Sequence, residues 1–394
     1  MNCFTTSWGE FRLTRFPEDP REQLRAWDAA DEYLLRHLHG DTDAPAVPLT
    51  GTVVVLGDRW GALATALSSA RPDGLGQAAR LVQITDSYLG RQATRANLVR
   101  NGVPETAVHL LTSTEAPPER IDVLLVRVPK SLALLEDQLH RLAPALHQDS
   151  VVIGTGMVTE IHNSTLRLFE QLVGPTRTSL AAKKARLIFS TPDPVLARPA
   201  NPWPLRYPLP EGIGPVSGRT VTNLAGVFCA DRLDIGTRFL LQHLPARQGP
   251  ERVVDLGCGN GVVGTAAALA NPQAELLFID ESFQAVASAE ATFRANTAPE
   301  ARAEFLAGDA LAAVPTDSVD LVLNNPPFHS HQATTDASAW RMFTGARRAL
   351  RPGGELWVVG NRHLGYHVKL RRLFGNCQTV TGNPKFVILR AVKR

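Results

Sequence analysis

The tetrapeptide Asn325-Pro326-Pro327-Phe328 follows an apolar run and has the residue types needed to hold a planar amine during group transfer to its nitrogen. Two consecutive prolines remove two backbone N–H donors and stiffen the turn, so the carbonyl groups there are free to act as acceptors. The Asn325 side chain adds an acceptor, and Phe328 offers a flat face on which a ring can stack. A stiff strand-to-helix turn with a buried phenylalanine would have the same residues, so the tetrapeptide alone does not decide the chemistry.

A glycine-rich turn lies upstream of the tetrapeptide and predicts a cofactor loop. The apolar run 252–256 leads into Gly257, Gly259 and Gly261, and a helix of small residues is predicted at 265–270. Glycines adopt unusual backbone angles and let a ligand approach the main chain closely. A strand, a glycine-rich turn and a helix also bind nicotinamide cofactors, so the glycines alone do not identify the ligand.

Two further predicted strands end in carboxylates. The run 275–279 ends at Asp280, which is placed to accept hydrogen bonds from ribose hydroxyls, and the run 305–307 leads to Asp309, which is placed for an adenine amine. Asn325 follows the fourth strand. In a doubly wound sheet these strand ends line one crevice at the carboxyl edge, and we expect the site there.

Residues 251–330 resemble the S-adenosylmethionine-dependent methyltransferases that modify exocyclic amines. The resemblance implies S-adenosylmethionine as the cofactor, with Asp255, Gly257 and Gly259 in its loop. It makes Asp280 the ribose acid and Asp309 the adenine-side acid. It also implies that Asn325 contacts the cofactor and, with Pro326, Pro327 and Phe328, forms the catalytic amine-binding motif.

Segments on either side of this region are similar to the bacterial rRNA guanine-N2 methyltransferases. They are 226–237 before it, and 360–366, 374–377 and 385–389 after it. The last three resemble the branch that acts on 23S rRNA more closely than the branch that acts on 16S rRNA. The resemblance therefore implies methylation of guanine N2 in 23S rRNA, with the base unstacked and its amine held by Asn325 and the Pro326 carbonyl.

Composition restricts the class of protein. A chain of 394 residues with 44% apolar and 20% charged residues is typical of a globular protein with two or three domains. No apolar run approaches the ~20 residues that span a bilayer. The first residues do not resemble a signal peptide, and the four cysteines show no paired spacing. We expect a cytoplasmic, monomeric protein with no membrane partner and no metal site.

Basic residues are concentrated at the end of the chain. The segment 341–394 carries twelve Lys or Arg residues against one acid, which gives it +11 and leaves −8 for residues 1–340. Such asymmetry is typical of nucleic-acid binding, although a merely solvated basic face would give the same count. Arg362, Lys369, Arg371 and Arg372 are the candidate RNA-binding residues, and we expect the last two beside the mouth of the crevice.

The first half of the chain repeats the second at an offset of about 195 residues. The repeat predicts an α/β fold with two tandem Rossmann-like methyltransferase domains, of which the second is catalytic. In the first copy the bulky Asp58-Arg59-Trp60 replaces the cofactor glycines and 127–130 replaces the amine motif, while Asp86 is matched with the ribose acid. We therefore predict a degenerate, non-catalytic domain at 1–180, a proline-rich linker at 181–215 and a catalytic domain at 216–394.

A helix is predicted ahead of the first repeat. Asp19 and Pro20 have the types that cap and begin a helix, and Gly40 has the type that follows a helix end. Apolar residues from Leu24 to Leu38 recur on one predicted face.

Other functions are compatible with parts of the sequence. A DNA adenine-N6 or glutamine side-chain methyltransferase could use the same turn, and an RsmC-like 16S rRNA enzyme would share most of the motifs. A non-catalytic RNA-binding factor in ribosome assembly explains the first copy, but it does not explain intact cofactor residues in the second. An NAD-linked oxidoreductase leaves 325–328 without a role.

Overall fold

The structure is a computed structural model that describes residues 3–42, 44–69, 79–327 and 333–394, apart from the side chains of 333–336. The chain divides into two compact units, Met1–Pro202 and Trp203–Arg394. Each unit has its own sheet and its own apolar core.

The first unit begins with a small hairpin and continues as a seven-stranded sheet with flanking helices. Its elements are β1 (Cys3–Thr6), β2 (Gly9–Arg12), α1 (Ala29–His39), β3 (Thr52–Leu56), α2 (Ala62–Ser69), β4 (Arg80–Thr85), α3 (Tyr88–Arg100), β5 (His109–Thr112), β6 (Ile121–Arg127), α4 (Leu132–Leu142), β7 (Leu146–Met157), α5 (Asn163–Leu172), β8 (Thr176–Thr178) and β9 (Ala185–Ser190).

The second unit has the same plan after a two-stranded ribbon. Its elements are β10 (Leu205–Pro208), β11 (Thr220–Asn223), α6 (Ile235–Leu241), β12 (Arg252–Leu256), α7 (Val262–Ala270), β13 (Glu275–Asp280), α8 (Phe283–Asn296), β14 (Ala303–Ala307), β15 (Val319–Asn324), α9 (Ala333–Ala349), β16 (Leu350–Asn361), α10 (Tyr366–Phe374), β17 (Gln378–Gly382) and β18 (Phe386–Val392).

The two large sheets have the same strand order, which confirms the predicted tandem Rossmann-like fold. The first runs β5-β4-β3-β6-β7-β9-β8 and the second β14-β13-β12-β15-β16-β18-β17. In each, five strands are parallel and the last two join by antiparallel pairing. The order in which strands are added reverses beside β12 in the second unit and beside β3 in the first. Folds of this kind bind ligands at such a point.

The central strands are apolar because both of their faces are covered. In β12, Val253 packs into the cluster on the α7 and α8 side of the sheet, and Val254 packs into the cluster on the α9 and α10 side. Helix α7 can approach the sheet closely because Gly264 has no side chain. A Cβ there would lie 2.3 Å from the ring of Phe278.

Two predicted element limits differ from the structure. Helix α1 begins at Ala29 rather than near Pro20, because Asp28 and Asp31 form a capping box that starts the helix there. The predicted linker 181–215 includes β9, which belongs to the first large sheet, and β10, which pairs with β11. The prolines of that segment obscured both strands in the sequence.

Within the described part of the chain, none of the helices is long and apolar enough to cross a bilayer.

Candidate active site in the second unit

The carboxyl ends of neighbouring strands bring most of the predicted site residues to one edge of the second sheet. Leu256 pairs with Ile279 on one side and with Asn324 on the other. The next residues, Gly257, Asp280 and Asn325, therefore lie side by side at the ends of three adjacent strands. The Gly308 N–H donates to the Asp280 carbonyl over 2.9 Å and fixes the start of the turn that carries Asp309.

The glycine-rich loop after β12 combines an open segment with a packed one. Gly257, Gly259 and Gly261 all have positive φ, which side chains other than glycine adopt at a cost. No heavy atom of the described residues lies within 4 Å of the position that a Cβ would take at Gly259, whereas at Gly261 that position is 2.6 Å from the Ala289 Cα. Gly259 therefore leaves space at the crevice, and Gly261 permits helix packing.

Asp280 holds the glycine loop as well as ending β13. Its Oδ2 accepts a hydrogen bond from the Gly259 N–H at 3.0 Å, and its Oδ1 accepts one from the Ser282 N–H at 3.1 Å. Burial raises the pKa of Asp280 and these backbone donors oppose the rise. The carboxylate stands at the edge that the sequence predicts for ribose recognition.

Asp255 turns away from the open part of the loop. It is 3% exposed, and its Oδ2 accepts from the Gly264 N–H at 2.7 Å in the first turn of α7. Burial raises the pKa of Asp255 to about 7. Its contacts are those of a residue that anchors α7 to the sheet.

Asp309 faces a cation of α9. Its Oδ1 lies 3.7 Å from the Nε of Arg341, and both side chains are partly buried. The carboxylate that the sequence assigns to adenine recognition is therefore oriented by a neighbouring guanidinium.

Asn325 presents a buried acceptor. Its Nδ2 donates to the Thr237 Oγ1 at 2.8 Å and lies 3.4 Å from the Asp234 Oδ2. Its Oδ1 is buried, and no donor among the described residues bonds to it. Buried acceptors are usually satisfied, so this atom is available to an N–H donor other than those of the described residues.

Asn324 is a further polar residue of this edge that sequence reasoning missed. It is fully buried, its Nδ2 donates to the Leu256 carbonyl at 2.7 Å, and no described donor satisfies its Oδ1. Its Nδ2 also lies 4.0 Å from the position of a Cβ at Gly257. The signal available in the sequence was an asparagine at the end of an otherwise apolar strand.

Phe328, the predicted stacking platform, lies outside the described residues. The prolines before it are described: Pro326 is buried and Pro327 is exposed. The role of Phe328 stays a prediction. In the described ranges no group of three or more His, Cys, Asp or Glu side chains could hold a metal ion.

Part of the basic tail is neutralised by acids of the same unit. The ion pairs are Arg341–Asp309, Arg351–Asp320, Arg390–Glu355 and Lys393–Asp317. Arg362, Arg371 and Lys385 lack such a carboxylate partner within the part of the chain that the structure describes. The charge available to a ligand is therefore smaller than the +11 counted along the sequence.

The other cations of the tail lie at different heights along the sheet. Arg362 follows the carboxyl end of β16, and its N–H donates to the Lys385 carbonyl at 3.1 Å, so both residues are at the crevice edge. Helix α10 starts there and runs back for nine residues, about 13 Å. Arg371 and Arg372 are in its last turn, and Arg372 lies over the Trp340 ring. Lys369, earlier in the helix, lies over the Tyr366 ring. The expectation that Arg371 and Arg372 flank the crevice mouth is wrong, and Lys385 was overlooked.

The matching edge of the first unit is filled by charged side chains. Arg59 stands at the position of Gly259 and pairs with Asp28 and Glu160. Arg127 stands at the position of Asn325. It pairs with the same two acids and also with Asp31. Arg127 is fully buried. These carboxylates raise its pKa against the effect of burial, and the guanidinium groups lower the pKa of Glu160 to about 2.

The structure corrects one match between the repeats. Leu56 pairs with Ile84 as Leu256 pairs with Ile279, so the residue that corresponds to Asp280 is Thr85. Asp86 is one position further on and accepts a hydrogen bond from the Ser113 hydroxyl at 2.7 Å. Asp280 of the second unit therefore has no acidic counterpart at that register position in the first.

Comparison with known proteins gives matches along both units. Residues 1–194 match the family model described as the RLMG N-terminal domain, and residues 218–390 match the Methyltransferase small domain. The chain is 72% identical to the Ribosomal RNA large subunit methyltransferase G of Streptomyces coelicolor, covering 99% of this chain and 100% of that protein. It is 70% identical to the protein of the same name from Streptomyces avermitilis, covering 99% of each.

A solved structure shares the fold over both units. The T. thermophilus 16S rRNA N2 methyltransferase RsmC, in complex with AdoMet and guanosine, aligns with a TM-score of 0.71 at 22% identity. The match covers 97% of this chain and 98% of that one.

Proposed function

This chain belongs to the ribosomal RNA large subunit methyltransferase G family, and on that premise we propose that it methylates the exocyclic N2 amine of a guanine in 23S rRNA, with S-adenosylmethionine as the methyl donor. We base the choice of an amine on the buried Oδ1 of Asn325, which has no donor among the described residues. An acceptor held at that position suits a group that brings its own N–H.

The residues at the edge fit the cofactor. Gly259 leaves open space where a side chain would stand, and Asp280 lies beside it with a carboxylate suited to a pair of hydroxyl groups. Asp309 follows the next strand. We propose that Gly257, Gly259, Asp280 and Asp309 bind S-adenosylmethionine, with Asp255 acting through the helix that it anchors. When bound, S-adenosylmethionine supplies an electrophilic methyl group.

The amine is a poor nucleophile because its lone pair is delocalised into the guanine ring. Hydrogen bonds from its N–H groups to the Asn325 Oδ1 and the Pro326 carbonyl turn the lone pair out of that conjugation. The same acceptors stabilise the positive charge that develops on the nitrogen. Phe328 would stack on the base and hold its distance, which lowers the entropic cost of the reaction.

The RNA must present an unstacked guanine, because the shallow minor groove of a duplex leaves N2 out of reach of a recessed site. We propose that Arg362 and Lys385 bind phosphates next to that base, since both lie at the crevice edge. Lys369, Arg371 and Arg372 would contact phosphates farther along the RNA. Such contacts contribute affinity without sequence information.

Methylation of separate RNA pools tests the proposal. The purified protein is incubated with labelled S-adenosylmethionine and with unmodified 16S rRNA, 23S rRNA or tRNA, and the products are digested to nucleosides. We expect label only from 23S rRNA, as N2-methylguanosine. Label from 16S rRNA alone would support the RsmC-like alternative, and the absence of label from every pool would favour a binding factor.

Asn325→Ala supplies the matched inactive variant. Loss of one preorganised acceptor at a developing charge is expected to lower the transfer rate by about 10²-fold or more. The affinity for S-adenosylmethionine, measured by calorimetry, should change little. Near-normal turnover by this variant would remove Asn325 from the mechanism.

A further inference from the structure

The N-cap residue of α6 and a residue of its first turn contact the side chain of Asn325. The Asn325 Nδ2 donates to the Thr237 Oγ1 at 2.8 Å, and Thr237 is 8% exposed. The Thr237 hydroxyl lies 3.2 Å from the Asp234 Oδ2, which also accepts the Thr237 N–H at 2.8 Å. Asp234, Thr237 and Asn325 thus form a continuous chain of hydrogen bonds that ends at the buried Oδ1 of Asn325.

The order of donors and acceptors in this chain determines which way the Asn325 amide faces. An amide group has nearly the same shape in its two orientations, so its partners decide between them. The Asp234 carboxylate only accepts, and it therefore takes the one proton of the Thr237 hydroxyl. The Thr237 oxygen can then only accept, so Asn325 must turn its NH2 group to Thr237 and its carbonyl away.

The helix terminus holds this arrangement in place. Asp234 is the N-cap of α6 and Thr237 is in its first turn, so the capping hydrogen bond fixes the carboxylate against the hydroxyl. The Thr237 Oγ1 is consequently set by the backbone of the helix rather than by a mobile side chain.

We propose that Asp234 and Thr237 are positioning residues that present the carbonyl of Asn325, and not its NH2 group, to the reacting nitrogen. This inference rests on the proposed function. With the amide reversed, two N–H donors would face each other, the amine would lose its acceptor, and the developing charge on nitrogen would meet the positive end of a dipole. Asp234 and Thr237 therefore favour a substrate that donates an N–H to the Asn325 Oδ1.

Single-turnover methylation of unmodified 23S rRNA tests the proposal, with Thr237→Val, Thr237→Ser and Thr297→Val as the variants. Valine keeps the shape of Thr237 without its oxygen, and serine restores the oxygen. Thr297, which donates to the Phe293 carbonyl at the end of α8, is a matched control for the loss of a hydroxyl in the same unit.

We expect Thr237→Val to lower the rate of methyl transfer by about tenfold, the equivalent of one neutral hydrogen bond. Its affinities for S-adenosylmethionine and for RNA should be unchanged, so the loss lies in the chemical step. Thr237→Ser should stay within about threefold of the wild type, and Thr297→Val should match it. A Thr237→Val enzyme with the wild-type rate would overturn the proposal, and so would a Thr237→Ser enzyme as slow as Thr237→Val.

A second measurement separates this proposal from the proposed function. In protein labelled with ¹⁵N at asparagine side chains, the Asn325 NH2 signal is assigned by its loss in Asn325→Asp, and its exchange with solvent is followed. We expect Thr237→Val to accelerate that exchange by about tenfold, which corresponds to the loss of one hydrogen bond. Unchanged exchange would overturn the orientation even if RNA is methylated, whereas faster exchange would support it even if wild-type protein methylates no guanine.

Discussion

The two units have one fold but opposite contents at the carboxyl edge of the sheet. In the second, Gly259 leaves open space and Asn325 keeps an acceptor without a described donor. In the first, the same two positions are Arg59 and Arg127, whose guanidinium groups are paired with Asp28 and Glu160. The fold brings the strand ends together in both units. A few residues at those ends decide whether the polar groups there are open to a ligand or are bonded to other side chains.

The units also share a feature at this edge, reached from different positions. A buried carboxylate accepts an N–H from the first turn of the following small-residue helix: Asp58 from Ala64, and Asp255 from Gly264, at 2.8 and 2.7 Å. Burial raises the pKa of each carboxyl to about 7. Since the first unit keeps this contact although Arg59 takes the place of Gly259, we assign the contact to folding rather than to ligand binding.

Arg127→Ala should break the first unit most severely. The substitution removes the fully buried guanidinium that pairs with Asp28, Asp31 and Glu160. Because buried acids then lose their partner, the free energy of unfolding is expected to fall by about 3–5 kcal/mol. Arg120→Ala, which removes an exposed ion pair with Asp122, should cost less than about 1 kcal/mol.

Thermal unfolding checks both variants, and calorimetry should show that Arg127→Ala leaves the affinity for S-adenosylmethionine unchanged. Equal stability of Arg127→Ala and the wild type would mean that the charged network does not hold the first unit together. Binding of two cofactors per wild-type chain would show that the charged network does not keep the cofactor out of the first unit.

Gly259→Arg transfers the first unit's residue to the second. A side chain in the open part of the loop, at a φ of +52, should lower the affinity for S-adenosylmethionine by about 100-fold or more, because it occupies the space that the cofactor needs. Gly249→Arg, in the loop before β12, also has open surroundings and a positive φ, of +93°, and controls for the strain of a side chain at such a position. Cofactor binding by Gly259→Arg equal to that of Gly249→Arg would show that the loop is not the binding site.

Asp280→Ala should weaken S-adenosylmethionine binding by about 1.5–3 kcal/mol for each lost charged hydrogen bond. Thr85→Ala, at the matching register position of the first unit, should have no effect on cofactor binding. Asp86→Ala should be equally silent. Calorimetry on the three variants sharpens the comparison, and an effect of Thr85→Ala would point to a cofactor contact in the first unit.

The last comparison between the units concerns the pH dependence of stability. Asp255 has a pKa of about 7 when folded, above its ordinary value, so the folded state binds more protons between pH ~4 and ~7. Stability therefore falls as pH rises through that window, with a slope of at most about 1.4 kcal/mol per pH unit, and levels off above the folded pKa.

Asp255→Asn keeps an acceptor for the Gly264 N–H and should flatten this slope, as Asp58→Asn should in the first unit. Denaturant unfolding at several pH values measures the change. Unaltered slopes in both variants would mean that neither carboxyl titrates in this range.

Sequence reasoning alone is enough to find the repeated strand and helix pattern, because apolar runs, glycine turns and small-residue helices are local signals. The end of α10 has a local signal of the same kind, since the helix stops at Gly375 in the left-handed conformation. Asn325, Asp280 and the glycine-rich loop could be located for the same reason, because each lies at or just beyond the end of a strand that the pattern reveals.

Tertiary structure decided which atoms those residues turn toward one another. Nothing local in the sequence links Asn325 to Thr237 or Arg127 to Asp28, since each contact joins segments about 90 to 100 residues apart. The capping box that begins α1 at Ala29 supplies Asp28 and Asp31 to Arg127, so the helix start and the closed edge depend on each other. Whether a strand-end polar group meets a ligand or a side chain depends on distant partners, and only the folded chain brings those partners into hydrogen-bonding distance.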